Sequence, residues 1–268
     1  MERNLYGAMS TNYKSFILAI SLIFALSASI SAAPGDLDPT FGNGGKRTDW
    51  AGYASGVAIQ PDGKIVVVGN GIGCCSPGTN IDFRDARYNP DGSPDTTFGG
   101  GTGRVTTDFN GYHDASDNVV LQPDGKIIVA GWTVSQSPGE FSRVSLAVVR
   151  YNPDGSLDTT FGGGSGKVLT PLDYFGLGST DVAIQPDGKI LVVLFQFDLN
   201  DNDYGLLIRY NADGSPDTSF GMGSSVFGTG SVYSQLPIGS VTVQPADGKI
   251  VVNEGYLRNS PGIARYNT

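Results

Sequence analysis

Apolar and polar positions follow one local plan along most of the chain. Val57 and Ile59 alternate with smaller residues up to Gln60, the phrase QPDGK fills 60–64, and a β-branched run, IVVV, leaves it at 65–68. The same succession runs from VVLQ to IIVAG over 119–131 and from VAIQ to ILVV over 182–193. Alternation of period two predicts half-buried strands, and short unbroken apolar runs predict fully buried ones. Within QPDGK, proline sets φ for the first corner, aspartate tolerates the second, and glycine takes the left-handed position that follows. Each copy, including the variant QPADGK at 244–249, therefore predicts a hairpin tip.

The phrase recurs at intervals of 62, 63 and 59 residues inside a longer repeat. YNPDGSPDTTFGGGTGRV at 88–105 returns as YNPDGSLDTTFGGGSGKV at 151–168 and as YNADGSPDTSFGMGSSV at 210–226. LDPTFGNGGK at 37–46 holds its second half, and ARYN at 264–267 its first. Self-similarity of this length marks solenoids and propellers, whose units bury their faces only against neighbours. Each unit reads as LDxTFG, a strand, an irregular stretch, a QPDGK hairpin and a strand ending in RYN. In the second unit the strands are expected at Arg104–Phe109, Asn118–Gln122, Lys126–Trp132 and Ser145–Asn152.

The fold class that follows is all-β: a four-bladed β-propeller built from four repeats of about 60 residues. If the hairpin supplies the two inner strands and RYN ends the third, the strand after TFG is outermost. A strand over Gly45–Trp50 would then complete the last blade beside Ile263–Asn267 and close the ring, removing exposed edges. Assembly of two chains into a larger ring, a piece of a longer array, and a β-sandwich are the alternative geometries.

The motifs LDPTFG, QPDGKIVV and ARYNPDGSPDTTFG, with their further copies, resemble the delta-60 repeat of bacterial exported and surface proteins. The resemblance covers essentially all of residues 37–268 and implies a propeller-like fold and export. It brings no activity and no catalytic, cofactor-binding or metal-binding residue. The fourth unit departs most, with Ala246 inserted in its turn and TFGMGSS in place of the glycine run.

Ahead of the repeats lie Arg3 and Lys14, the uncharged FILAISLIFALSASI at 16–30, and the small-residue run SAAPG. That order reads as a secretory signal peptide over 1–33, cleaved after Ala33 with Ser31 and Ala33 in the recognition positions. The mature propeller would span 34–268 and sit outside the cell, in the periplasm or at the cell surface. Removal of the leader, net +1, takes the formal charge from −9 to −10. An acidic surface excludes nucleic acid and anionic membrane, both of which need clustered Lys and Arg. The expected partner of this monomer is a protein or carbohydrate ligand. Glycine makes up 39 of 268 residues, which suits a turn-rich chain.

Candidate chemistry is sparse. Asp62, Asp124, Asp187 and Asp247, and Arg87, Arg150, Arg209 and Arg265, recur in every unit. A residue needed by every unit is explained by turn closure or a structural ion pair. Function is expected where the copies differ: Asn70–Asp82, Thr133–Ser142 and Gln196–Tyr204. Calcium could use Asn89, Asp91 and Asp95, or Asp198, Asn200, Asn202 and Asp203, but neither segment completes an EF-hand loop. The adjacent Cys74 and Cys75 cannot staple distant segments. The single His113 cannot supply a three-ligand zinc site, and no nucleophile motif accompanies it. The reading is a non-catalytic binding or scaffolding module, with a lactonase-type or quinoprotein-type enzyme acting at a central channel as the alternative.

Overall fold

The computed structural model describes residues 33–48, 52–71, 81–109, 111, 113–135, 143–172, 176–197, 203–221, 230–255 and 262–268. The leader, Trp50, Cys74 and Cys75, and most of the three variable stretches lie outside these residues. Among the described residues no helix is long and apolar enough to cross a membrane.

The chain divides into two units, residues 1–45 and 46–268. In the first, Asp38 Oδ1 accepts from the Thr40 N–H at 2.9 Å and from its hydroxyl at 2.6 Å. This is the local turn that LDxTFG encodes.

Among the described residues, the second unit contains fifteen strands in four antiparallel meanders. The first sheet is β1 (Gly52–Ile59), β2 (Ile65–Gly71), β3 (Phe83–Tyr88) and β4 (Arg104–Thr107), in that order. The second is β5 (His113–Leu121), β6 (Ile127–Ser135), β7 (Arg143–Tyr151) and β8 (Lys167–Leu172). The third is β9 (Gly176–Ile184), β10 (Ile190–Phe197), β11 (Asp203–Tyr210) and β12 (Ser231–Ser234). The fourth has three strands: β13 (Ile238–Val243), β14 (Ile250–Glu254) and β15 (Gly262–Tyr266). Repeat and sheet are out of phase by one strand, since the strand after TFG pairs back onto the preceding RYN strand.

β1, β5, β9 and β13 contact one another in succession, so they are the innermost strands, and neighbouring sheets pack face to face. Ile190, Val192 and Leu194 of β10 pack towards the second sheet, among Ile128, Leu146 and Val148. Leu191 and Val193 of the same strand pack towards the fourth, among Ile238, Val241 and Val252. A sheet covered on both faces needs apolar residues at every position, which explains the unbroken ILVV run. At the fully buried level, β2 keeps only the alternate Val66 and Val68, both turned to the second sheet.

The first and last sheets each have one bare face. Val57 is 65% exposed, whereas Val119, Val182 and Val241, which hold its place in later repeats, are each 7% exposed. Ile263 of β15 is 83% exposed, and its counterparts Val148 and Leu207 are fully buried. The strand expected over Gly45–Trp50 is not formed at 46–48, and 49–51 lie outside the described residues.

All four hairpin tips form as the turn chemistry requires. The Gly63 N–H donates to the Gln60 carbonyl at 2.8 Å and the Gln60 N–H to the Lys64 carbonyl at 2.8 Å. Gly63, Gly125, Gly188 and Gly248 have φ of 84°, 84°, 85° and 73°, a left-handed region that L-residues avoid. In the fourth copy the glycine N–H reaches Gln244 one residue further back, which absorbs Ala246.

Candidate functional site

The recurring charged residues form one device three times over. Arg87 Nε donates to Asp95 Oδ2 at 2.7 Å, its Nη2 donates to Thr97 Oγ1 at 3.1 Å, and its guanidinium lies 4.7 Å from the Phe98 ring centroid. Lys64 Nζ reaches the same Asp95 carboxylate at 3.1 Å. Arg150, Asp158, Lys126 and Phe161 repeat this, as do Arg209, Asp217, Lys189 and Phe220. Burial works against ionisation of Asp95, yet the Thr97 hydroxyl and N–H, Lys64 and Arg87 outweigh it and hold its carboxyl far below the usual range.

The first two devices also reach into the next sheet. Arg87 Nη1 donates to the Pro153 carbonyl, and Arg150 Nη1 to that of Ala212. The Gly99 N–H donates to the Asp154 carbonyl and the Gly162 N–H to that of Asp213, both at 2.9 Å. The NPDGS turn of one repeat thus plugs into the TFG corner of the repeat before it. These arginines and aspartates are thus engaged with each other, with the neighbouring lysine and threonine and, for Arg87 and Arg150, with the next repeat. Arg265, exposed, makes one weaker bond to Gln244 Oε1 at 3.4 Å.

The turn aspartates are equally occupied. Asp62, Asp124, Asp187 and Asp247 each accept, through Oδ1, from the N–H two residues on at 3.1–3.2 Å. In NPDGSPD, Asp91 Oδ1 accepts from the Ser93 N–H and hydroxyl, Asn89 Nδ2 donates to Ser93, and Asp95 belongs to the arginine device. Those oxygens point into their own turns and not towards a shared centre. Residues 198–202 of the other calcium candidate lie outside the described residues, and of Asp203 only the backbone is described.

Along the innermost strands a polar chain ties three sheets together. Asn118 Nδ2 donates to Asp181 Oδ1 at 2.6 Å, and Asp181 Oδ2 accepts from the Val241 N–H at 2.9 Å. Beside it, burial pushes the Asp117 carboxyl up to about 6, against hydrogen bonds from Thr180. At the turn end of these strands, Leu121, Pro123, Ile184, Pro186, Val243 and Pro245 line an apolar cavity of about 360 Å³.

A meander places its connections alternately at two ends. QPDGK and NPDGS turns occupy one end of every sheet, and all three variable stretches leave from the other. At that second end stand Asp82, just before β3, Asp108, just after β4, and Asp114, second in β5. One carboxylate oxygen from each lies within 4.8 Å of the others. Asp114 is fully buried, and its Oδ2 accepts from the Phe109 N–H at 2.6 Å. Neither its Oδ1 nor the nearby Thr133 Oγ1 makes a well-formed hydrogen bond among the described residues. Burial pushes the Asp114 carboxyl up to about 6, with the Asp108 and Asp82 charges adding to the rise. Burial and Asp108 raise Asp82 as well. His113, exposed, accepts from the Ile81 N–H through Nδ1 at 3.2 Å.

Sequence reasoning did not single out Asp108 or Asp114, and it met Asp82 only as the end of a variable stretch. They come from three separate segments and only sheet packing unites them. It also missed Asp85, which stands where the later repeats have Val148 and Leu207. Asp85 is buried between sheets, accepting from the Tyr151 hydroxyl at 2.8 Å, while Tyr151 shares a 2.6 Å bond with Thr107. Burial raises its carboxyl to about 7 despite the hydrogen bonds from Tyr151 and Ser116.

Residues 60–98, 122–161 and 185–220 match a family model described as a domain of unknown function (DUF5122) beta-propeller. Over these three segments the chain is similar to a β-propeller repeat. Each matched segment runs from a QPDGK tip to a TFG corner, the part of the repeat whose turn and ion-pair chemistry varies least. None of the curated proteins matches the chain. Among solved structures, a glucose dehydrogenase is similar at 11% identity and a TM-score of 0.43, over 80% of this chain and 60% of that one. A protein of unknown function from Dyadobacter fermentans is similar at 11% identity and a TM-score of 0.45, over 78% and 58%. The chain therefore spans about 60% of the length of these structures.

Proposed function

We propose that this propeller is an exported, non-catalytic binding or scaffolding module that presents its variable loops to a protein or carbohydrate ligand. The observation that carries the reading is the division between the two ends of the sheets. At one end the charged groups of the repeat pair within their own sheet, and Arg87 and Arg150 also clamp the sheet that follows. At the other, the sequence is free to vary without touching that framework, as binding loops on a rigid scaffold do. The charged, apolar and small-residue succession at the start, together with the motif resemblance to delta-60 repeats, supports export. The test is a glycan and protein-ligand array probed with the mature chain and with a variant in which 136–142 is replaced by a short Gly-Ser turn. Binding that is lost in the variant while the fold is kept supports the proposal. Binding that the variant retains in full overturns it.

We also propose that the four sheets close into a ring. Among the described residues the fourth sheet has three strands, and Thr48-Asp49-Trp50 matches Thr107-Asp108-Phe109, the end of β4 and its continuation. Pairing of that segment with β15 would fill the place and bring the bare faces around Val57 and Ile263 together.

One observation favours a second reading, catalysis on the innermost strands. Asp117 sits there with its carboxyl raised to about 6, the range of a general acid. Turnover of lactones or aldoses that disappears in Asp117→Asn would replace the binding reading with this one.

A further inference from the structure

We propose that Asp82, Asp108 and Asp114 form a calcium site at the variable-loop end, where it joins the first two sheets. The three carboxylates come from the approach to β3, the exit of β4 and the start of β5. Calcium binds oxygen at roughly 2.3–2.6 Å, so oxygens on opposite sides of one ion stand about 4.8 Å apart. The aspartate oxygens lie within that span of one another.

A second observation points to a ligand. Asp114 is fully buried, and its Oδ1 makes no well-formed hydrogen bond among the described residues, the Thr133 hydroxyl beside it easing its charge only in part. A buried carboxylate oxygen left without a partner is costly, and two more carboxylates beside it make the cost greater. Nearby cationic groups relieve only part of this. Arg84 acts on Asp82. Lys167 Nζ is bound to the Asp108 carbonyl at 2.6 Å and lies over the Phe109 ring. A divalent cation supplies the missing charge and partner together. Its donors would be hard oxygens only, the set that calcium prefers.

The site would fasten Asp82, the last residue of a variable stretch, to the start of the second sheet. One backbone bond already joins these segments, from the Asp114 N–H to the Ile81 carbonyl at 2.6 Å.

Calcium chloride titrated calorimetrically into the EDTA-treated full chain tests the proposal, with thermal melts alongside. The expected result is saturable binding of one ion with a rise in melting midpoint. Asp108→Asn and Asp82→Asn should each weaken binding by about tenfold or more, through loss of ligand charge. Both positions are at least partly exposed, and asparagine keeps the acceptor that Asp108 offers the Gly111 N–H, so both variants should fold. No saturable calcium binding, unchanged affinity in both variants, or a response to magnesium alone would each overturn the proposal.

Discussion

Val57 and Val119 hold the same place in successive repeats, and one is 65% exposed while the other is 7% exposed. The difference lies in what stands behind each strand. Val119 packs on Val66 and Val68 of the first sheet, and among the described residues no sheet packs behind β1. If the ring closes, Val57 becomes a core residue. Val57→Lys should then cost at least about 2 kcal/mol, as burial of an unpaired charge does, where an exposed site would lose no more than about 0.5 kcal/mol. Urea unfolding of the mature chain measures it, and a loss below 0.5 kcal/mol would refute closure.

The arginine device yields a second prediction. Arg150→Met should destabilise by about 3 kcal/mol, the lower end for a broken buried pair, because Lys126 remains on Asp158 at 3.0 Å. Arg265→Met should change stability by no more than about 0.5 kcal/mol, since that side chain is exposed. Denaturant melts of the two variants side by side decide the point.

Two glycines with the same dihedral should respond differently. Gly125 and Gly155 have φ of 84° and 85°. A Cβ on Gly125 would lie 3.4 Å from Pro153, and one on Gly155 would lie 2.8 Å from the Phe98 ring and 2.9 Å from the Gly99 nitrogen. Gly125→Ala should cost about 1–2 kcal/mol from left-handed backbone strain alone. Gly155→Ala should cost a further ~1–3 kcal/mol, because the added methyl pushes one sheet's turn off its neighbour. Equal losses would show that the turn does not seat tightly against Phe98.

Stability should fall between about pH 4 and pH 7 on account of Asp85. Its folded pKa, about 7, lies above the ordinary 3.8, so the folded state prefers the neutral acid. The penalty is absent below pH 4, grows as pH rises through that window, and is constant above it. Asp85→Asn should match the wild type near pH 4 and exceed it at pH 8, with the gap opening across the window. A gap independent of pH would contradict the raised pKa.

The hairpin tips and most strands were legible because proline, aspartate and glycine act locally and strand periodicity is written residue by residue. For the strand expected over Gly45–Trp50 the chain carries no local signal beyond its place in the repeat, because a strand depends on its partner; 46–48 form none and 49–50 lie outside the described residues. Asp85 was illegible for another reason. A single polar letter in a third strand looks like surface variation until Tyr151, 66 positions away, is found bonded to it. Asp82, Asp108 and Asp114 share that difficulty threefold.

The clamp between Arg87 and the Pro153 carbonyl, repeated from Arg150 to Ala212, has a mechanical consequence. Each clamp spans one repeat and none spans two, so load is handed from sheet to sheet in series. Pulled from its ends, such an array should give way in separate steps, each lengthening the molecule by about one repeat, instead of failing at once. Neighbouring clamps use the same side chains, so the rupture forces should be similar. Single-molecule stretching would show them as a short row of evenly spaced peaks.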